Sequence, residues 1–442
     1  MLDINNFNEQ LFAFLDASPT PYHAVKSQIR VLQKNGFKRL LENQQWLLEP
    51  GQRYYVTRNG SSLIAFVYGR EDSLKTGIRM LGAHTDSPCL KVKPNADIKK
   101  KSYLQLAVEV YGGALLNPWF DRDLSLAGKV VYQDSHQAIH SCLINFVKPI
   151  AIIPSLAIHL DREANKNHSI NAQTDIPPIL LTIEHDDKKD NMLKSLLTEQ
   201  LKQQNNKLDI VHIIDYELSF YDAQPASLLG MRDDFISSSR LDNLLSCFIC
   251  LQALLSADDQ GTSLLICTDH EEVGSASQVG AQGTFLQSVL QRLSTTAETL
   301  SRIISRSMMI SADNAHALHP NFTDKHDANH GPVLNQGPVI KVNANQRYAS
   351  TCETAALFKM LAEKINVPVQ HFVVRSDMGC GSTIGPIAAT NIGIKTVDIG
   401  VPTLAMHSIR EMAGSKDGWY LYQVLEQYFD CSNGLNIVST EF

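Results

Sequence analysis

The chain has 442 residues, 44% hydrophobic and 19% charged, with a formal net charge of −7. That is ordinary globular composition, long enough for two or more domains. It carries no basic block and no basic-aromatic interleaving of the kind that binds nucleic acid, and its most apolar long segment, "VKPIAIIPSLAIHL", is too short for a bilayer and holds two prolines.

The N-terminus, "MLDINNFNEQLFAFLD", reads as helical. It has no basic stretch ahead of an apolar one and is not a secretory signal, so the expected compartment is the cytoplasm. "SPTPYHAVKSQIRVLQKNGF" then gives a Pro-rich entry, a helix and a stop at Gly36. Strand-like runs follow in "RYYVTR", "SSLIAFVYG" and "GIRMLGAH". Residues 93–235 differ in texture. They open on "KVKPNADIKKKS", hold short strands such as "YLQLAVEVYGG" and "GKVVYQ", and include the polar stretch "EHDDKKDNMLKSLLTEQLKQQNNK", an exposed helix or a loose segment. From about 240 helices and strands alternate: a helix over 240–256, then "SLLICTDH", "PVIKVN", a helix around 352–365, "HFVVRS" and "TVDIG".

The alternation predicts an α/β fold with a mixed, largely parallel sheet and helices on both faces. Residues 1–92 and 236–442 form one discontinuous domain, and 93–235 are a mostly-β domain inserted into it. The eight cysteines are scattered, Cys431 among them. The one CxxC, Cys247 and Cys250, falls at i, i+3 on an apolar helix and reads as core packing.

Several stretches place ionisable side chains just past apolar runs. In "LGAHTDSPCL" a strand ends in His84, with Asp86 two residues on and Ser87-Pro88 as a stop. Period two sets His84 and Asp86 on one face, at the strand end where open α/β sheets bind ligands; a surface turn is the plain alternative. In "SSSRLDNLLSCF", Ser238 and Ser239 are candidate N-caps and Asp242 suits a first helical turn. "LLICTDHEEVGS" ends a strand in Asp269-His270-Glu271-Glu272. Adjacent carboxylates repel unless a cation or proton lies between them, and such a pair can divide metal binding from general-base work. "MMISADNAHALHP" brings Asp313, His316 and His319, and "TLAMHSIRE" brings His407. Of these, His84, Asp242, Glu272, Asp313 and His407, two His and three carboxylates, form a mixed N/O set that suits two zinc-like ions sharing a carboxylate, though spacing alone does not single out those five among 15 His and 46 acids.

Taken with "FDRDLSLAGKV" and "GPVIKVNANQRYA", these motifs resemble the M18 metallopeptidases, the aspartyl aminopeptidases, from "SPTPYHAV" to "MHSIREM". The resemblance is weakest over 161–210. It implies the zinc aminopeptidase type of fold and an inserted dimerisation domain. It implies His84, Asp242 and Asp313 as ligands of one divalent ion and Asp242, Glu272 and His407 as ligands of a second. The ions would be zinc, with manganese or cobalt as alternatives. Glu271 would be the general base, and Asp86 the carboxylate that orients a ligand histidine. Lys341 would meet the substrate's side-chain carboxylate, with Arg347 and Arg375 as other candidate cations and "MGCGSTIGP" shaping the pocket. His159 would reach a neighbouring subunit's site within a homododecamer, and His316 would contact substrate. The implied activity releases Asp or Glu from peptide N-termini. The alternatives are a broader aminopeptidase or a deacylase on the same scaffold, and a cargo or scaffold particle, against which the complete ligand set speaks.

Overall fold

The structure, a computed structural model, describes residues 3–184 and 191–430. Cys431, and residues 185–190 of the polar stretch, fall outside the described residues. The chain divides into two compact units. One takes the residues up to Asp86, then Ala226–Met406, and resumes at Glu411; the other is Ser87–Pro225 with His407–Arg410.

Among the described residues, the first unit is built on a nine-stranded sheet. Its centre runs Thr262–Thr268, Ile78–His84, Met308–Ala312 and Lys395–Gly400, each parallel to the next. Antiparallel strands flank this centre, as at Ser62–Val67 and Val339–Lys341, so the sheet is mixed and parallel at its core. Alternation along the strands feeds two cores. Leu81, Ala83, Leu265 and Cys267 join one with Phe7, Phe248 and Tyr428, while Ile78, Met80, Leu264 and Ile266 join the other with Phe285, Val289, Ile303 and Ile384. Helix Leu241–Ser256 is apolar nearly all round and is buried accordingly, with Cys247 and Cys250 fully inside. Helices Phe285–Arg292, Ala297–Arg306 and Ile384–Ile392 contribute to the second core. Helices therefore lie on both faces.

Gly36 does end its helix: Pro21–Lys34 is followed by Gly36 at φ +80. The start of helix Leu241–Ser256 differs from expectation. Ser238 spends its hydroxyl on the Ser239 carbonyl and caps nothing. Arg240 is left-handed, and Asp242 (φ −82, ψ 106) and Asn243 are not helical. The dipole reading of Asp242 therefore gives way to a shaped lead-in.

Among its described residues the second unit holds a six-stranded antiparallel sheet in the order Ile139–Asn145, Leu124–Gln133, His212–Asp222, Cys89–Lys100, Tyr103–Tyr111, Ile179–Thr182. The polar stretch forms helix Met192–Gln204, which buries Leu193, Leu197 and Leu201 at i, i+4, i+8. The expected boundary at 92 cuts strand Cys89–Lys100, and that at 235 cuts the hairpin Ser227–Leu229/Phe235–Ser238, which belongs to the first unit. No helix among the described residues is long and apolar enough to cross a membrane.

Candidate metal centre

Strand Ile78–His84 is buried along its whole length and delivers His84, 1% exposed, at its C-terminal end. The neighbouring strand Thr262–Thr268 ends in register with it and leads into the acidic turn. There His270 (φ +65) and Gly274 (φ +93) bracket one 3-10 turn, Glu271–Val273. The left-handed His270 turns the chain off the strand, and its ring is held by Ser277 Oγ at 2.7 Å from Nδ1. The amides of Glu271 and Glu272 then point the same way, and the Asp86 carboxylate accepts both, at 3.1 and 3.0 Å.

Four carboxylates converge on the His84 ring. Asp86 Oδ1 lies 3.3 Å from Nδ1, while Asp313 Oδ1, Asp242 Oδ1 and Glu271 Oε2 lie 3.4, 3.6 and 3.9 Å from Nε2. Burial alone would lower the imidazole's affinity for a proton, but bonds to Asp242, Asp313 and Asp86 raise its pKa well above the usual histidine value. Burial pushes Glu271 up to about 7, against the opposing pull of His84. Burial works against the Asp313 charge too, yet the Lys341 ammonium and His84 hold its carboxyl well below the normal range.

Asp242 is steered from its backbone: its N–H donates to the buried Glu411 Oε2 at 2.9 Å. Asn243, across a cis peptide, ties the same point to the Ala312 carbonyl at 2.9 Å. Asp313 follows strand Met308–Ala312 directly. Lys341 is only 2% exposed; its ammonium donates to Asp313 Oδ2 at 3.0 Å and to the Asn314 carbonyl at 3.1 Å. The cation expected to meet substrate is thus engaged by a candidate ligand. Arg375 is spent on Asp377. His316 is exposed, with its ring edge-on to Phe372 at 5.5 Å.

His159 and His407 lie in the second unit. His159 sits in an exposed turn between Ile158 and Leu160. His407 Nδ1 is 3.2 Å from the Gly113 carbonyl, and the His407 carbonyl accepts from Leu115 N–H at 3.0 Å. If Nδ1 carries the proton given to Gly113, Nε2 keeps its lone pair, the form in which histidine binds metals.

His84, Asp242 and Asp313 each offer one ligand atom, all within 4.8 Å of one another, as do His84, Glu271 and Glu272. One imidazole nitrogen with carboxylate oxygens is a donor set that zinc accepts, and a divalent ion would relieve the repulsion among the acids. Sequence reading missed Glu411, although "SIRE" contains it. It also missed the Cys247 thiol, which donates to the His84 carbonyl at 3.0 Å.

Residues 14–429 match the family described as Aminopeptidase I zinc metalloprotease (M18). The chain belongs to the M18 family. It is 56% identical over 422 residues to "Probable M18 family aminopeptidase 2" of Pseudomonas syringae pv. syringae (strain B728a), a match covering 96% of this chain and 97% of that one. The same-named protein of Pseudomonas putida (strain KT2440) is 57% identical with the same coverage. The cryo-EM structure of the Ape4 and Nbr1 complex superposes with a TM-score of 0.92 at 40% identity, over 96% of this chain and 86% of that chain. The S. cerevesiae mApe1 dodecamer gives 0.82 at 29% identity, over 95% of each. This M18 protein is a metallo-aminopeptidase, a hydrolase of a zinc metalloprotease family.

Proposed function

We propose that this aminopeptidase releases acidic residues, Asp and Glu, from peptide N-termini using two divalent ions, zinc in the first instance. The observation that carries the reading is the convergence of Asp242, Asp313 and Glu271 on His84 Nε2. His84, Asp242 and Asp313 would hold one ion; Asp242, Glu272 and His407 would hold the second. When bound, the ions supply Lewis acidity toward the scissile carbonyl and the attacking water. Glu271 takes the proton from that water and returns it to the leaving amine. Asp86 fixes both His84 and the turn that aims Glu271.

The acidic preference rests on Lys341. Two of its donors are occupied by Asp313 and Asn314, and the Tyr348 ring stands 5.1 Å from the ammonium. A third N–H in a dry pocket would favour a substrate carboxylate. A broader aminopeptidase is the second reading, and the same Lys341–Asp313 pair favours it, because a paired ammonium offers less to a substrate.

Self-association belongs to the proposal as well. The similarity to the mApe1 dodecamer supports a homododecamer. So do apolar side chains exposed on the second unit, Ile139 (69%), Val147 (66%) and Leu160 (75%), which a subunit contact would cover. His159, flanked by Ile158 and Leu160, would then reach a neighbour's site, and His316 would touch substrate.

The test is a panel of Asp, Glu, Leu and Ala 4-nitroanilides, assayed with and without chelator on protein of known metal content. Chelator-sensitive cleavage of Asp and Glu above the rest supports the reading. Equal rates on Leu would move the assignment to the broad aminopeptidase. Activity indifferent to chelator would refute the metal mechanism.

A further inference from the structure

We propose that Asp398 is a positioning residue that sets which N-terminal residue the enzyme accepts. It does so by pinning two loops, 343–350 and 376–383, into one wall beside Lys341. The proposal rests on the preceding reading that the substrate's first side chain enters next to Lys341.

Asp398 is a lone carboxylate on a central strand, Lys395–Gly400, and is 0% exposed. Its two oxygens serve different loops. Oδ2 accepts the Ala349 N–H at 2.6 Å, and Oδ1 accepts the Thr383 hydroxyl at 2.6 Å. Its own N–H donates to Ser350 Oγ at 3.0 Å, doubling the grip on the first loop. The loops are also tied to each other, because the Ser382 hydroxyl donates to the Arg347 carbonyl at 3.3 Å.

What these loops carry points to selectivity. The first holds Tyr348, 5% exposed, its ring 5.1 Å from the Lys341 ammonium that binds Asp313. The second is the Gly-rich "MGCGS", whose glycines impose little conformation of their own. A loop of that kind keeps a fixed wall only if something holds its end, and Thr383 is that end. It also caps helix Ile384–Ile392, accepting the Gly385 N–H at 3.3 Å. Gly385 fits the arrangement: a Cβ there would stand 2.3 Å from Asp398 Oδ1, so a side chain would displace the carboxylate. A buried charge is costly, and here both carboxylate oxygens accept hydrogen bonds from loop groups. The payoff of such a clasp is wall rigidity, which acts on selectivity more than on the chemical step.

Three variants test this in the full-length, metal-loaded enzyme: Asp398→Asn, Thr383→Val and Thr383→Ser. The readouts are kcat/KM on the four nitroanilides and bound metal. Asp398→Asn and Thr383→Val should lower the acidic-over-Leu ratio by roughly tenfold, as when one charge-assisted hydrogen bond is lost, with metal content unchanged. Thr383→Ser keeps the hydroxyl and should keep the ratio. An equal fall on every substrate, or no change, would overturn the proposal, since a merely structural role lowers all rates together. If Asp398→Asn does not fold, the Thr383→Val and Thr383→Ser pair decides. If the parent shows no acidic preference, the preceding reading fails on the parent alone. The Asp398 proposal is then judged by whether the variants reorder the four substrates.

Discussion

Asp86 holds Glu271 by its backbone and leaves its side chain free for chemistry: the Asp86 carboxylate accepts the Glu271 N–H at 3.1 Å while the Glu271 carboxylate points toward His84 Nε2 at 3.9 Å. The proposed base and the proposed ligand are therefore both held by one buried acid, and removing it should disturb both.

Asp86→Asn keeps the volume but offers one acceptor where two amides need one each. Activity should fall about 10- to 100-fold, the usual cost of losing a carboxylate behind a metal ligand. Metal affinity measured by calorimetry should weaken too. Full affinity together with full activity would show that Asp86 only fills space.

Glu271→Gln and Asp242→Ala should part company. The first should retain metal and lose about two orders of magnitude or more in turnover, as removal of a general base does. The second should lose metal outright, because both proposed ions share Asp242. Metal analysis of the two proteins side by side decides; identical metal content would mean that base and ligand have been misassigned.

Lys341→Met removes the ammonium and roughly keeps the stem. If Lys341 reads the substrate, the Asp-over-Leu ratio should drop by about one to two decades, corresponding to a charge-assisted bond of roughly 1.5–3 kcal/mol. If its duty ends at Asp313, the ratio should stay within about threefold while the metal-free protein melts at a lower temperature, its buried carboxylate having lost a partner.

His23 predicts an acid limb in stability. It is buried beside Thr20 Oγ1, and burial, reinforced by Lys26, Arg240 and Arg30, lowers its pKa to about 4 from 6.5. The unfolded chain then binds more protons than the folded one between those values. Stability is complete above pH 6.5 and is lost as pH falls toward 4, by at most about 3 kcal/mol. His23→Gln should flatten that limb in denaturant titrations at stepped pH. An unchanged slope would remove His23 from the account.

Much of the first unit was legible because its strands are short apolar runs that end in polar clusters. "GIRMLGAH" and "SLLICTDH" announce both the strand and the site at its end. The family motifs singled out the proposed ligands, which periodicity could not. What stayed hidden depends on contacts distant in sequence. Glu411 reaches Asp242 across 169 residues, and nothing in "SIRE" reveals that its carboxylate faces a backbone amide. Asp398 did leave a mark, an acid inside the apolar "TVDIG", but its partners at 349 and 383 only meet it in the fold. Lys341 was legible as a cation and not as one already paired. The lead-in at Asp242 defeated helix rules because Arg240 and the two residues after Leu241 leave helical geometry for the sake of where the carboxylate goes.

With His407 as the proposed ligand, its seat limits how far this protease could be pared down. Gly113 and Leu115, which grip the histidine through its ring and its carbonyl, both belong to the Ser87–Pro225 insert. A protein engineer who excised the insert to obtain a minimal hydrolase would retain the codon for His407 and lose what orients its imidazole. A variant lacking the stretch around Gly113 would have to re-anchor that histidine by other means to keep the proposed ligand in place.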